Sequence, residues 1–393
     1  MNIAIVGGGI VGLGLGYKLQ CEKKHNVDIF EKEKNVGFHQ SGRNSGVLHC
    51  GLAYKPGSLK AKLAVSGIKQ MVNYCKNNHV EHEICGKIVV ATSNQDINLI
   101  NDVAERGKKN GLKGLKFLTD NELKQREPFV KSLKTLLVPE EGIVDYKGVM
   151  ESMSNNIKEG GGNVFLSSKI EKIEKIENKI YIDNNSSKAY NYIINCTGLQ
   201  ADINFNKFSK EKRKMKIVPF RGEYYKLTNE AKKLFNHLVY PVGNPKFPFL
   251  GVHFTKMING DKEVGPNAVL AFKREGYKNS DISINDMLDY LSYPGFLNFI
   301  RKNFLFCINE FSTSFLKSSF LKKAQILIPD IRSKDINKGP AGVRAQGIDT
   351  KGNLMMDFDV VKSNNQIHIL NAPSPAATSS LAIADYIIEN YIK

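Results

Sequence analysis

The chain opens on Ile3-Ala4-Ile5-Val6-Gly7-Gly8-Gly9-Ile10-Val11-Gly12, an apolar run feeding a glycine cluster that fits G-x-G-x-x-G at Gly7, Gly9 and Gly12. Residues of these types at this spacing bind a dinucleotide. The first glycine permits a tight strand-to-helix turn, the second lets backbone approach a pyrophosphate, and the third lets the helix pack on the strand. The helix N-terminus then presents N–H groups and a positive dipole end to the anion. Glu31, nineteen residues past Gly12, ends a second apolar strand, Val27-Asp28-Ile29-Phe30. An acidic residue there accepts hydrogen bonds from ribose hydroxyls. A bare glycine motif is a weak signal. Here a strand precedes it and an apolar-periodic helix follows through Leu13, Leu15, Tyr17 and Leu19, with Gly16 allowing closer helix–sheet contact.

These residues need a sheet to hold them. Residues 1–50 read as strand, helix, strand and glycine-rich loop. Helical patterns follow over 57–80 and Asp96–Asn110, with a strand at Lys87–Thr92 between them. Thr119 with Glu122 three residues later marks a capped helix start. Gly148–Glu159 reads as a helix stopped by Gly160-Gly161-Gly162. Short strands come next, and Ile193-Ile194-Asn195-Cys196-Thr197-Gly198 is a strand that stops in a glycine turn and belongs with the nucleotide sheet. Residues 215–275 are strand-rich, 283–322 helical and basic, 366–371 a strand, and 376–391 a closing helix. The nucleotide-binding strands are therefore separated by long insertions. The expected class is α/β: a Rossmann-like domain from 1–80, 145–210 and 335–393, interleaved with a mixed-sheet α+β substrate domain from 81–144 and 211–334.

At 393 residues the chain can bury a large core. It has no run of eighteen apolar residues, so no transmembrane helix is expected. The motif begins at residue 3, which leaves no room for a signal or transit peptide and predicts a cytoplasmic protein. The six cysteines form no C-x-x-C pair and read as buried thiols. His79-Val80-Glu81-His82 has no second ligand pair nearby, so no metal is expected. The net charge of +17 comes from lysines spread along the chain, without a nucleic-acid module. It is read as solvated faces, with no specific nucleic-acid partner.

The glycine motif with Glu31, the interrupted sheet and Cys196-Thr197-Gly198 resemble the FAD-dependent amino-acid oxidase group, which has the D-amino-acid oxidase or glycine oxidase fold. Within it, several segments are similar to L-2-hydroxyglutarate oxidases/dehydrogenases. They are Ser41–Gly51, Asn195–Asp202, Pro219–Tyr225, Phe249–Thr255, Gly265–Tyr277, Gly342–Gln346 and Asn371–Thr378. The match spans nearly the whole chain. Cys50 stands where a small residue such as alanine is expected, and 278–322 matches loosely, so no site residue is taken from it.

The resemblance implies FAD in a glutathione-reductase-type domain. It is held by Gly7, Gly9, Ile10, Val11 and Gly12, by Glu31 and Lys32, by the loop residues Ser41, Arg43, Asn44, Ser45, Gly46 and Val47, by Thr197 and Gly198, and by Pro375, Ala376, Ala377 and Thr378 ahead of the closing helix. It also implies a 2-hydroxy dicarboxylate substrate, L-2-hydroxyglutarate, oxidised to 2-oxoglutarate by hydride transfer to flavin N5. That reaction needs a base for the hydroxyl proton and cations for the carboxylates. His253, an imidazole in an apolar strand context, is the first candidate base. His49 is a second, or a flavin-edge contact. Arg344, among alanine, glycine and valine, is the candidate carboxylate clamp. Lys273 and Arg274 are adjacent on a presumed strand and so face opposite ways, with Lys273 favoured to face the site.

The electrons leave to quinone or to oxygen. The aromatic, lysine-flanked stretch within 294–322 suits peripheral contact with an anionic membrane, on the inner face of the cell membrane, as well as packing on its own protein. The alternative enzyme is a related flavin oxidase of an amino acid or glycerol 3-phosphate. A non-catalytic RNA-associated flavoprotein is suggested by the charge alone.

Overall fold

The opening strand Asn2–Val6 lies inside a six-stranded sheet whose order is Asp359–Ser363, Gln366–Asn371, Tyr192–Asn195, Asn2–Val6, Asn26–Phe30, Asn163–Phe165. The computed structural model of the chain describes residues 1–183, 185–209, 211, 214–243 and 250–392, with backbone alone at 185–187; Phe249 of the matched segments lies outside them. All neighbours in this sheet run parallel except the edge strand Asp359–Ser363. Both faces are covered, which is why the central strand is apolar throughout. Ile3 and Ile5 pack in the cluster with Leu13, Ile157 and Ile383 of three helices, Ile10–Tyr17, Tyr146–Glu159 and Ser380–Tyr391. Ala4 and Val6 face Ile180 and Tyr190 of a small antiparallel sheet.

A second, nine-stranded mixed sheet carries Lys87–Ala91, Lys134–Val138, Leu238–Pro241, His253–Lys256 and the long strands Met215–Leu227 and Ile336–Asp349. Those two long strands pair antiparallel from Met215↔Asp349 to Leu227↔Ile336. Residues 335–349 were expected with the nucleotide sheet, and this pairing puts Ile336–Asp349 in the second one. A third, three-stranded sheet joins Val47–Leu48, Gly142–Val144 and His82–Glu83. The basic segment forms four helices: Ile284–Leu291, Pro294–Lys302, Phe304–Phe315 and Lys317–Gln325.

Local chemistry sets the element ends. Thr119 Oγ1 accepts from the Glu122 N–H at 3.3 Å, and Glu122 Oε2 accepts from the Thr119 N–H at 2.9 Å, a reciprocal capping box. The helix expected from Gly148 starts at Tyr146, because Asp145 caps it by accepting from the Lys147 N–H at 3.0 Å. The closing helix starts at Ser380 rather than 376. Pro373 and Pro375 cannot donate backbone hydrogen bonds, and successive turns (Ala376 N–H to Pro373 O, Ser379 N–H to Pro375 O) take up the chain before it.

Arg274, fully buried, links the two parts of the chain. It donates to Leu199 O at 2.7 Å, to Asp202 at 2.7 and 3.0 Å, and to Asp289 at 2.7 Å. Asp202 lies beside the nucleotide sheet and Asp289 on the first helix of the basic segment. Arg274→Met leaves two carboxylates without this cation, and is expected to cost about 3–5 kcal/mol. Urea unfolding monitored by circular dichroism checks this, with a loss under 1 kcal/mol counting against it.

Candidate active site

One cleft runs from the first turn of the opening helix to the strand Ile336–Asp349. At one end Gly9, Ile10 and Val11 line it, and Ser41 Oγ accepts from the Ile10 N–H at 3.0 Å, which seats the 40s loop on the helix N-terminus. Gly12 lies beneath. A Cβ on Gly12 would stand 2.1 Å from the carbonyl oxygen of Gly7, so only glycine lets the turn close this tightly. The 40s loop braces itself: Asn44 Nδ2 donates to Ser41 O at 2.7 Å, and Asn44 Oδ1 accepts from the Gly46 N–H at 2.9 Å. Arg43, Asn44, Ser45 and Val47 line the cleft; Arg43 also stacks on Tyr277, 3.9 Å from guanidinium carbon to ring centre. Gly198 lines it, as do Pro375, Ala376, Ala377 and Thr378. Thr378 Oγ1 accepts from the His49 N–H at 3.2 Å and shares a hydrogen bond with the Tyr146 hydroxyl at 2.8 Å, tying the closing turn to the loop.

Several expected contacts fall elsewhere. Glu31 is buried behind the glycine turn: its two carboxylate oxygens accept from the N–H groups of Gly8 at 2.8 Å and Glu33 at 2.9 Å. Lys32, the next residue, points the other way. It pairs with Glu33 at 2.8 Å and Glu275 at 2.6 Å and does not line the cleft. Thr197 turns its hydroxyl to Asn195 Oδ1 at 2.6 Å, and its neighbours Cys196 and Gly198 face the cleft. Lys273 is exposed on a turn, not a strand, and does not line the cleft; the buried member of that pair is Arg274, engaged as described. The position alternation assumed for a strand does not apply there.

The opposite end gathers His253, His49 and Arg344. His253 is buried, its ring stacked on Tyr240 at 3.9 Å between centres, and its Nδ1 lies 2.9 Å from Gly251 O. A carbonyl only accepts, so Nδ1 carries the hydrogen and Nε2 keeps a lone pair. Burial, with Arg344, His49 and Lys87 adding positive charge nearby, pushes the His253 imidazolium down to about 3. Arg344 is half-buried; its Nη1 donates to Asn267 O at 3.3 Å, and burial lowers its proton affinity. His49 Nδ1 lies 3.3 Å from Glu141 Oε2, and Lys87 Nζ lies 2.8 Å from the same oxygen. Burial favours the neutral acid at Glu141, but Lys87 and His49 outweigh it and hold the carboxyl down to about 2.

Sequence reasoning missed Tyr224, Tyr240 and Lys60, all of which line the cleft. Burial raises both tyrosines and lowers Lys60 to about 8. The aromatic Gly222-Glu223-Tyr224-Tyr225 run pointed to Tyr224; nothing local marked the other two.

The glycine turn with no room for a side chain, the helix N-terminus and the long cleft fit a bound flavin dinucleotide. Fold and cleft together define an FAD-dependent oxidoreductase. The family model described as "FAD dependent oxidoreductase" (DAO) matches residues 2–390, and the chain belongs to that family. Over the whole chain it is 46% identical to the L-2-hydroxyglutarate dehydrogenase of Indibacter alkaliphilus, covering 99% of that protein. It is 38% identical to the mitochondrial L-2-hydroxyglutarate dehydrogenase of Homo sapiens, covering 99% of this chain and 88% of the human one. Among solved structures, reduced L-α-glycerophosphate oxidase from Mycoplasma pneumoniae with FAD bound matches with a TM-score of 0.80 at 20% identity, covering 99% of this chain and 94% of that one.

Gly12→Ala is expected to weaken FAD binding roughly tenfold or more, since overpacking of about 1–3 kcal/mol falls on the phosphate turn. The ratio of visible flavin absorbance to protein absorbance after dialysis measures it. An unchanged ratio in folded protein counts against the assigned turn.

Proposed function

We propose that this chain oxidises L-2-hydroxyglutarate to 2-oxoglutarate. Its full-length relatives at 46% and 38% identity carry that name. The structural observation behind the reading is one cleft with a dinucleotide turn at one end and a guanidinium beside two imidazoles at the other. When bound, FAD supplies the acceptor for the C2 hydride.

The remaining work falls to the protein. Gly9, Ile10 and Val11 present the helix N-terminus to the pyrophosphate, and Glu31 braces the glycine turn beneath it by accepting from the N–H groups of Gly8 and Glu33. Ser41 to Val47 and Pro375 to Thr378 wall the flavin. Arg344 grips one substrate carboxylate with its planar fork. A histidine takes the hydroxyl proton: His253 Nε2 and the free nitrogen of His49 are the two acceptors at this end. Neutral His253 offers Nε2 to the hydroxyl as a hydrogen-bond acceptor, because burial and the positive charge nearby disfavour its imidazolium.

Electron exit to quinone or oxygen is a further part of the proposal, with the helical segment as a peripheral membrane surface. No helix among the described residues is long and apolar enough to cross a membrane. The segment nevertheless exposes Leu288 at 61%, Phe304 at 58% and Leu305 at 81%, with Arg301, Lys302 and Lys317 close in sequence. Exposed apolar side chains with cations close in sequence suit an anionic lipid surface.

Anaerobic mixing tests the reaction. L-2-hydroxyglutarate is expected to bleach the flavin band, whereas the D isomer, glycine and glycerol 3-phosphate leave it. Faster bleaching by glycine or glycerol 3-phosphate overturns the substrate. Arg344→Ala keeps FAD and raises the substrate concentration for half-maximal reduction roughly 10- to 100-fold, the loss of a charged hydrogen bond. For the membrane surface, the double variant Leu288→Asp/Leu305→Asp is expected to lower co-sedimentation with anionic vesicles about tenfold or more, from the apolar burial lost. Undiminished co-sedimentation removes that role.

A further inference from the structure

Resting on the reaction proposed above, we infer that Glu141 is the positioning residue that makes His49, rather than His253, the acceptor of the substrate's hydroxyl proton. Glu141 lies in the turn between Lys134–Val138 and Gly142–Val144 and is 1% exposed. Lys87, the first residue of its strand, is 5% exposed. Burying this carboxylate and this ammonium together can cost more solvation than their attraction returns unless further partners satisfy the remaining lone pairs.

That geometry points at the cleft. Glu141 Oε1 accepts from Cys50 Sγ at 3.4 Å, and Oε2 meets Lys87 Nζ at 2.8 Å and His49 Nδ1 at 3.3 Å. Oε2 is buried and holds these ion-pair contacts without a well-aligned hydrogen bond. It is therefore free to take one from Nδ1–H as His49 settles against a substrate. A carboxylate on Nδ1 fixes the tautomer, leaves Nε2 with the lone pair, and stabilises the ring once Nε2 is protonated.

His253 has the opposite surroundings. Its Nδ1 partner is the neutral carbonyl of Gly251, and the charges bearing on it are Arg344, His49 and Lys87, all of one sign. His253 is thus disfavoured as a proton acceptor, while His49 faces a carboxylate, the contrast that separates a neutral hydrogen-bond partner from a base. In the step itself the substrate O–H bond breaks and the Nε2–H bond of His49 forms. The electron pair left on oxygen closes the C2=O bond as the C2 hydride departs to FAD, so the alcohol is oxidised and the flavin reduced. Arg344 and protonated His49 then balance the two carboxylates, while Lys87 and Glu141 cancel.

The titratable and charged groups around His49 are Glu141 and Lys87 behind it, Cys50 beside it in the chain, Tyr54 and Tyr240 next to Glu141, and His253 and Arg344 across the cleft. The test compares holoenzyme carrying wild-type, Glu141→Gln and Lys87→Met sequences. Flavin reduction by L-2-hydroxyglutarate is followed anaerobically across pH. Wild-type rates are expected to rise with pH through one ionisation and then level off. Glu141→Gln removes the negative charge, so the rise moves to lower pH by about one unit or more, and the plateau falls roughly 10- to 100-fold. Lys87→Met leaves the carboxylate less balanced and moves the rise to higher pH; it keeps the test standing should Glu141→Gln unfold.

A second readout needs no turnover. The NMR titration of the His49 ring, assigned with His49→Gln, is expected to shift in the same two directions. Unmoved profiles and titrations in both variants overturn the inference, as does wild-type-like reduction by His49→Gln. If wild-type flavin is not reduced by L-2-hydroxyglutarate, the substrate reading fails, and the NMR titration still decides whether Glu141 acts on His49.

Discussion

The site depends on the register of one two-stranded ribbon. Met215–Leu227 and Ile336–Asp349 are more than a hundred residues apart in sequence and pair along most of their lengths. A slip of one position would move every side chain to the other face. Two features hold the register. Gly342 passes so close to the 40s loop that a Cβ there would lie 2.1 Å from Arg43 O, which fixes the ribbon against the cofactor loop. The pairing also shifts between Glu223↔Ala341 and Tyr225↔Lys338, where Gly339 and Pro340 stand opposite Tyr224. Proline has no N–H for a ladder, so the chain bulges, and Tyr224 is aimed at the cleft.

Charge is distributed on two scales. The chain as a whole carries +17, yet the end of the cleft that holds His253 and Arg344 has only two cations, Lys87 and Arg344, against the carboxylate of Glu141. The excess therefore sits on the surface, where it raises the local concentration of anions without selecting among them. Selection falls to the few groups that are desolvated, because a charge out of water interacts more strongly with its neighbours. Lys87, one of the charges that lower the proton affinity of His253, also keeps Glu141 ionised.

What the sequence made legible was local. The glycine turn, the Thr119–Glu122 cap and the strand ending in Asn195-Cys196-Thr197-Gly198 each carry their signal within a few residues, and each forms at the expected place. Of the cleft lining, the residues on the opening turn, the 40s loop and the Pro375–Thr378 turn were legible for the same reason. Lys32 and Lys273 were misplaced because their partners are distant. Nothing near Lys32 announces Glu275, and choosing between Lys273 and Arg274 required knowing that Asp202 and Asp289 converge on one of them. Lys87 and Glu141 escaped entirely, since a buried pair between a strand and a distant turn leaves no periodic trace. The helical character of 283–322 was readable, but its division at Tyr293, Asn303 and Leu316 was not.

The helical segment is also more than a surface layer. Its inner side packs Tyr290, Phe296 and Phe299 against Val218, Phe220 and Ile348 of the ribbon. Phe220 is the register partner of Arg344, and Glu310 of the third helix lies near enough to favour the charged form of that arginine. Glu310 is itself fixed, accepting from the Ala268 N–H at 2.7 Å and from Lys323 at 2.8 Å. The segment that exposes Leu288 and Leu305 is therefore joined through one aromatic cluster to the strand that carries Arg344, the proposed carboxylate clamp. Packed interiors have low compressibility and transmit strain. The face proposed to meet the membrane and the residue proposed to hold the substrate are thus joined by contacts already present in the fold.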